Sequence, residues 1–249
     1  MTDPVLVERH DGVLRLIMNR PEKKNALTGP MYDVMTAALT EADESDAIRA
    51  VVLEGAGGAF TAGNDIGDFL AAATGGRTPR AFYFIEKLAL LDTPLVAAVD
   101  GVAVGVGCTL VFHCDLAYAT PAARFKMPFV DLGLVPEAAS SLLAPRRMGM
   151  AKASEYILLG QPFDGYAAKE AGLVNAVVDA ADLSRVAMEA AHALAAKPPG
   201  ALKAARALLR GDRRDVQETM RRENEAFAAA LASPEARAAF MRFLAKGGA

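Results

Sequence analysis

Apolar residues near the N-terminus occur in short runs that are typical of β-strands. Runs at residues 5–7 and 13–18 flank Asp11-Gly12, and this arrangement predicts a β-hairpin with a tight turn. Thr28 is predicted to cap a helix that begins near Pro30 and continues into an acidic segment.

The middle of the chain alternates short buried strands with glycine-rich turns and helices. Strands are predicted at residues 50–54, 95–99 and 116–119. Helices are expected to begin near Asn64, to cover residues 80–91, and to cover the apolar residues 108–113. Strands that are connected in this way by helices predict an α/β fold with crossover connections.

The C-terminal half is predicted to be helical almost throughout from Glu137 onward, with one late strand at residues 174–178. Its last stretch, residues 201–244, forms amphipathic helices whose apolar faces include Phe227 and Phe240. These faces pack either on the rest of the chain or against another subunit, and the pattern leaves both possibilities open.

The composition is that of a globular protein, with 53% hydrophobic and 23% charged residues among 249. A net charge of −3 provides no global attraction for nucleic acid. No apolar stretch predicts a membrane span and no signal peptide is visible, so we expect a soluble cytoplasmic protein without a membrane or nucleic-acid partner.

The cysteines are expected to be buried free thiols, because both lie in apolar sequence and suit a reducing compartment. A zinc site at Cys108, His113 and Cys114 would lack a second well-spaced cluster of Cys and His ligands. The sequence therefore predicts neither a metal nor a redox cofactor.

Two turns share a design that could bind a developing negative charge. Residues 60–66 and 105–108 each pass through small residues into the start of a helix. Small residues allow a ligand to approach the backbone, and the free N–H groups of a first helical turn favour anions. Two such turns facing one point would form an oxyanion hole, although either glycine pattern alone also fits a tight turn. The spacing of Gly101, Gly105 and Gly107 does not match a dinucleotide-binding motif.

Four ordered motifs make the chain similar to the crotonase (enoyl-CoA hydratase/isomerase) superfamily. Residues 59–66 resemble its first signature, and residues 94–115 resemble its second. Asn19-Arg20-Pro21, with residues 25–27, resembles its early CoA-contacting loop, and residues 162–175 resemble a later segment. The similarity covers residues 5–245, nearly the whole chain.

The resemblance implies an α/β fold of stacked ββα units over residues 1–195 and a helical trimerisation region over residues 196–249. It implies homotrimers or hexamers built as dimers of trimers. The backbone N–H groups of Asn64 and Val106 would hold the thioester oxygen of an acyl-CoA, with CoA entering only as part of the substrate. The residues implied for substrate and CoA binding are Lys23, Lys24, Asn25, Ala26, Ala62, Gly63, Asp65, Ile66, Gly105 and Phe129.

Some of these residues have another interpretation on their own. Lys23 and Lys24 could simply be solvated, and Asp65 could fix its own turn by bonding nearby backbone. Phe129 could belong to the core instead of shaping a pocket.

The chain departs from the hydratase pattern at the two positions that matter for adding water. Hydratases of the family resemble one another in carrying a glutamate at each, whereas this chain has Thr109 and Phe129. Neither side chain can serve as a general acid or base. Glu137, in the segment 132–141, matches the catalytic base of the peroxisomal type of enoyl-CoA delta isomerase.

The resemblance therefore implies an isomerase that shifts a 3-enoyl-CoA double bond to the 2-position, with Glu137 carrying the proton through a dienolate. On its residues alone, Glu137 could instead be an acidic residue in the first turn of a helix. Asp131 is a second candidate carboxylate. Hydration, hydrolysis or dehalogenation of another acyl-CoA, and a CoA-binding subunit without turnover, remain alternatives.

Overall fold

The main sheet of the computed structural model, which describes residues 3–67 and 79–245, has six strands in the order β1-β2-β3-β4-β6-β9. These strands are β1 (Val5–His10), β2 (Val13–Met18), β3 (Ala50–Gly55), β4 (Leu95–Val99), β6 (Leu116–Ala119) and β9 (Ala176–Val177). The predicted hairpin is confirmed, since β1 and β2 pair antiparallel across Asp11 and Gly12, which both have positive φ. Every other neighbouring pair in this sheet is parallel.

A second, smaller sheet pairs β5 (Val102–Val104) with β7 (Arg124–Lys126) and β7 with β8 (Phe163–Asp164). The strands β7 and β8 were absent from the sequence predictions because each is only two or three residues long. Such short strands carry no readable alternation of apolar and polar residues.

Helices cover both faces of the main sheet. The α-helices with ranges inside the described residues are α1 (Gly29–Glu44), α2 (Arg80–Leu90), α3 (Val106–Thr109), α4 (Ser140–Leu158), α5 (Gly165–Glu170), α6 (Leu183–Ala195), α7 (Pro199–Arg210), α8 (Arg213–Leu231) and α9 (Pro234–Ala245). Val51 and Leu53 of β3 belong to the larger core cluster with α1 and α2, whereas Val52 packs with Ala187 and Ala191 of α6. Alternate residues of one strand are thus buried on opposite faces, as parallel sheets between helices require.

Several predicted helix boundaries were wrong. The helix expected at residues 108–113 begins earlier, at Val106, and changes into a 3-10 turn at Leu110–His113. Glu137 lies before α4, which begins at Ser140, so it is not in the first turn of a helix. Helical residues are present at Ile66 and Gly67, close to the predicted start near Asn64, and residues 68–78 lie outside the described part of the chain. Thr28 occupies the predicted N-cap of α1 without a side-chain hydrogen bond.

The C-terminal helices pack on their own chain through part of their apolar surface. Phe227 of α8 and Phe240 of α9 are buried in the large core cluster, and Phe227 meets Phe82 edge to face. In contrast, Leu208 and Leu209 of α7 are 84% and 89% exposed. Packing within the chain therefore buries Phe227 of α8 and Phe240 of α9. The trimerisation role of residues 196–249 stays a prediction.

Across residues 3–67 and 79–245, no helix is both long enough and apolar enough to cross a membrane.

Candidate active site

In the first glycine turn, residues 60–66, the backbone N–H of Asn64 points away from Leu27, the residue with which this turn pairs. Leu27 bridges this turn in parallel: its N–H donates to Gly63 O (2.8 Å), and its carbonyl accepts from Asp65 N (2.9 Å). These two bonds use the groups on either side of Asn64, so its own N–H points to the opposite side. The side chain is also fixed, because Tyr32 Oη donates to Asn64 Oδ1 (2.6 Å).

The second glycine turn places the amide of Val106 at the start of α3. Gly105 N–H donates to Lys126 O (2.9 Å), and Gly105 O accepts from the N–H groups of Cys108 and Thr109. Gly105 has φ 56° and ψ −120°, a conformation that side chains oppose. Val106 is the first residue of α3, where a backbone N–H has no partner within the helix.

The two turns pack directly against each other. A Cβ atom on Gly63 would lie 2.6 Å from Val104 O, and one on Gly107 would lie 2.8 Å from Thr61 O. Thr61 and Ala103 also form a parallel bridge. Glycine at positions 63 and 107 therefore permits a close approach that brings the two amides to one wall.

A cavity of about 530 Å³ opens onto this wall. Ten residues that the sequence singled out line it: Lys24, Ala62, Gly63, Asn64, Ile66, Gly105, Val106, Phe129, Asp131 and Glu137. Its other lining residues include the basic Lys126 and Arg242 and the apolar Leu134, Phe227 and Phe240. The cavity therefore combines backbone donors, one buried carboxylate and an apolar wall with basic side chains.

The carboxylate of Glu137 is the buried acid of this cavity, with only 5% of the residue exposed. Oε1 accepts a short hydrogen bond from Thr109 Oγ1, whereas Oε2 accepts none from the described residues. Burial raises the pKa of Glu137 to about 8, the Thr109 hydrogen bond lowers it, and the nearby charge of Glu223 raises it. Such a group can give and take a proton near neutral pH.

The other cavity carboxylate, Asp131, has a different environment. Its side chain is 49% exposed and pairs with Lys126 Nζ at 3.0 Å. An exposed carboxylate that is held in an ion pair is less well placed than buried Glu137 to exchange a proton with a substrate carbon inside the cavity.

The remaining predicted binding residues lie outside the cavity lining. Asn25 is buried, accepts from Arg20 N, and donates to Ala56 O and Ala59 O, so it holds the early loop in shape. Asp65 accepts from Arg20 Nη1 at 3.3 Å. Lys23 is exposed on that loop, where Ala26 is half-buried.

The histidine and cysteines near the site have structural surroundings. Cys108 and Cys114 are buried free thiols, as predicted. His113 is buried and donates from Nε2 to Ala138 O (2.8 Å). Burial lowers the pKa of His113 to about 4, so the ring is neutral near pH 7.

Burial of Glu137 predicts a pH-dependent effect on stability. Its folded-state pKa of about 8 lies above the ordinary value of 4.5, so folding favours the protonated form. The free energy of unfolding contributed by this group therefore falls as pH rises from about 4.5 to about 8. We expect Glu137→Gln to be more stable relative to the wild type at pH 9 than at pH 5, by up to a few kcal/mol.

Urea unfolding at both pH values measures this difference. A stability difference that is the same at both would contradict the burial of an ionisable group at position 137.

Comparison with known proteins places these features in a family. The family model described as enoyl-CoA hydratase/isomerase matches residues 8–248. The 1,2-epoxyphenylacetyl-CoA isomerase of Escherichia coli (strain K12) is 36% identical over 205 residues, which cover 80% of this chain and 78% of that protein. Enoyl-CoA delta isomerase 2 of Rattus norvegicus is 33% identical over 226 residues, covering 88% of this chain and 57% of that protein.

The fold agrees with this assignment. The crystal structure of an enoyl-CoA hydratase/isomerase from Pseudoalteromonas atlantica T6c superimposes with a TM-score of 0.94 at 40% identity, covering 98% of both chains. The predicted crotonase-type α/β fold is confirmed. By its sequence over nearly its whole length and by its fold, the chain belongs to the enoyl-CoA hydratase/isomerase family.

Proposed function

We propose that this protein is an enoyl-CoA isomerase that converts a 3-enoyl-CoA into the 2-enoyl-CoA. The observation that carries the proposal is the placement of Glu137, a buried carboxylate with a free oxygen and a raised pKa, in the cavity that Asn64 and Val106 also line. Moving a double bond by one position requires one proton to leave one carbon and one proton to join another. A single group of this kind can do both.

The reaction begins when ionised Glu137 removes a proton from C2 of the substrate. The electron pair of that C–H bond becomes part of a dienolate whose negative charge spreads onto the thioester oxygen. The N–H groups of Asn64 and Val106 stabilise that oxygen as its charge develops. Protonated Glu137 then returns the proton to C4, the double bond forms between C2 and C3, and the carboxylate is regenerated.

Hydration fits this cavity less well than isomerisation. Adding water requires one group to activate the water and another to protonate carbon. Thr109 and Phe129 occupy the two positions at which hydratases of the family resemble one another by having glutamates. The hydroxyl group of Thr109 donates its hydrogen bond to Glu137. The other carboxylate among the lining residues, Asp131, is paired with Lys126.

The proposal includes CoA as part of the substrate. Lys24, Lys126 and Arg242 line the cavity and could pair with its phosphates, since each presents a cationic group to anionic oxygens. The apolar side chains of Phe129, Leu134 and Phe240 line the same cavity and suit an acyl chain.

The proposal is tested by supplying a 3-enoyl-CoA that carries deuterium at C2. We expect a conjugated product of the same carbon skeleton, with part of the deuterium found at C4, because one buried carboxylate moves the label. Product mass and proton NMR measure this outcome. Addition of water to a 2-enoyl-CoA without any isomerisation would contradict the proposal, and tight binding without turnover would favour a CoA-binding subunit.

A second candidate is isomerisation of a 1,2-epoxyphenylacetyl-CoA, which is favoured by the name of the Escherichia coli relative. The same oxyanion hole would stabilise an enolate formed next to the thioester. Assaying an epoxyphenylacetyl-CoA beside the 3-enoyl-CoA separates the two, since the larger kcat/KM identifies the preferred reaction.

The proposed base also predicts a pH dependence of kcat/KM. Free Glu137 must be ionised to remove a proton, so kcat/KM should rise with pH through an apparent pKa near the value of about 8. In Thr109→Val the rise should move to higher pH, because the hydrogen bond from Thr109 lowers this pKa. A profile that is flat across this range, or the same in both proteins, would contradict the assignment.

A further inference from the structure

The backbone that follows Glu137 is held in a conformation that alanine disfavours. Ala138 and Ala139 have φ values of 57° and 55°, so two consecutive residues with side chains lie in the left-handed region. Such residues persist only where surrounding contacts over-determine them. The direction of the Glu137 side chain depends on this turn, because the turn connects it to the fixed helix α4.

Hydrogen bonds from two elements hold the carbonyl side of the turn. His113 Nε2 donates to Ala138 O (2.8 Å), and Ser140 donates to Glu137 O from both N (3.0 Å) and Oγ (2.6 Å). The backbone N–H groups of Ala139 and Ser141, at the start of α4, also need hydrogen-bond acceptors. The N-cap residue of α4 is Ala139, whose methyl group cannot accept a hydrogen bond.

Glu223 of α8 supplies that acceptor from a distant part of the chain. Its Oε2 accepts from Ala139 N (2.6 Å), and its Oε1 accepts from Ser141 N (2.9 Å) and Ser141 Oγ (2.5 Å). The residue is only 7% exposed, so these bonds are largely shielded from water. Burial raises the pKa of Glu223 above its ordinary value, although the hydrogen bonds from Ser141 and Ala139 lower it.

We propose that Glu223 is a positioning residue that holds the Ala138-Ala139 turn and thereby aims the Glu137 carboxylate into the cavity. This inference rests on the proposed function of Glu137 as the base. Glu223 acts without touching the substrate, and its negative charge also opposes ionisation of Glu137.

The charged and polar groups around Glu137 determine how a substitution at Glu223 should change the pKa of Glu137. Thr109 and Cys108 face it from α3, Glu223 from α8, and neutral His113 binds the next residue. Glu223→Gln keeps the size of the side chain and one acceptor, but it removes the charge and places a donor near a backbone N–H. We expect the turn to relax and the Glu137 pKa to fall.

The experiment measures kcat, KM and the titration of Glu137 in Glu223→Gln. A displacement of about 1 Å at a catalytic group can lower the rate about 10²-fold, so we expect kcat to fall by about 10- to 100-fold with KM little changed. The Glu137 titration is followed by the infrared carbonyl band that is absent in Glu137→Gln, and its midpoint should move to lower pH.

Met220→Ala is the matched control. Met220 is buried on the same helix one turn before Glu223, so its truncation destabilises the same contact region without removing a bond to the turn. We expect it to lower thermal stability while keeping kcat and the Glu137 midpoint.

An unchanged kcat and an unchanged Glu137 midpoint in Glu223→Gln would overturn the inference, as would equal effects in Met220→Ala. The infrared titration needs no substrate. If the wild type fails to isomerise 3-enoyl-CoA, the frequency of this carbonyl band still tests the positioning role, because it depends on the hydrogen bond from Thr109 to Glu137. We expect the frequency to change in Glu223→Gln and to stay the same in Met220→Ala. An unchanged frequency in Glu223→Gln would overturn the inference, so the two failures remain distinguishable.

Discussion

Replacing Glu137 with glutamine is expected to lower kcat for 3-enoyl-CoA isomerisation by about 10²- to 10⁴-fold, the range of a general acid–base contribution. The reason is chemical, since glutamine cannot accept the C2 proton and return it to C4. The amide oxygen can still accept the hydrogen bond from Thr109, and the side chain fills the same buried space. Affinity for the 2-enoyl-CoA product should therefore be retained, which binding calorimetry measures.

Asp131→Asn tests the competing carboxylate under the same assay. Asp131 also lines the cavity, but its ion pair with Lys126 and its exposed side chain predict that kcat does not depend on its charge. If Asp131→Asn loses the isomerisation and Glu137→Gln retains it, the roles assigned to the two carboxylates are reversed. If both lose it, two acids share the proton transfer.

The two glycine turns could be predicted from sequence because turn formation depends on local rules. Gly63 and Gly105 were recognisable as turns that precede helices, and the structure finds positive φ at both. The contact between Gly107 and Thr61 could not be predicted from local sequence, because these residues are 46 positions apart in the chain. The meeting of the two turns was implied only by the family resemblance.

The surroundings of Glu137 were harder to predict, for a physical reason. The proline before Glu137 is typical of the first turn of a helix, whereas the structure places two left-handed alanines between Glu137 and α4. Alanine strongly favours helix and gives no signal of left-handed backbone. The conformation depends on long-range partners such as Glu223, whose position in an amphipathic helix full of acidic and basic residues looks like an ordinary surface charge.

The early loop shows the same limit on a smaller scale. Asn25 was expected near CoA, and the structure shows its amide bonded to the backbone at Ala56 and Ala59. Of the two neighbouring lysines, Lys24 lines the cavity and Lys23 does not. Lys24 also has a left-handed φ of 49°, which sets the direction of its side chain. A lysine in a loop gives no sequence signal of such a backbone conformation.

Gly105→Ala is expected to lower kcat by about 10²- to 10³-fold, the typical effect of losing one oxyanion-hole donor. The backbone of Gly105 has φ 56° and ψ −120°, which an alanine can adopt only with strain. Relief of that strain rotates the peptide that carries the Val106 N–H away from the thioester oxygen. A methyl group at this position meets no atom within 4 Å, so strain rather than collision with the protein causes the change.

Gly149→Ala provides the matched control for this strain. Gly149 has φ 74° and ψ 159° within α4, and a Cβ atom there also meets nothing within 4 Å. Both variants should lose comparable thermal stability, but Gly149 lies outside the cavity lining, so its variant should keep kcat. Equal losses of kcat would mean that activity follows general stability. A loss confined to Gly105→Ala, with product affinity retained, would instead tie the rate to the direction of one backbone N–H, because that bond strengthens only as charge develops on the oxygen.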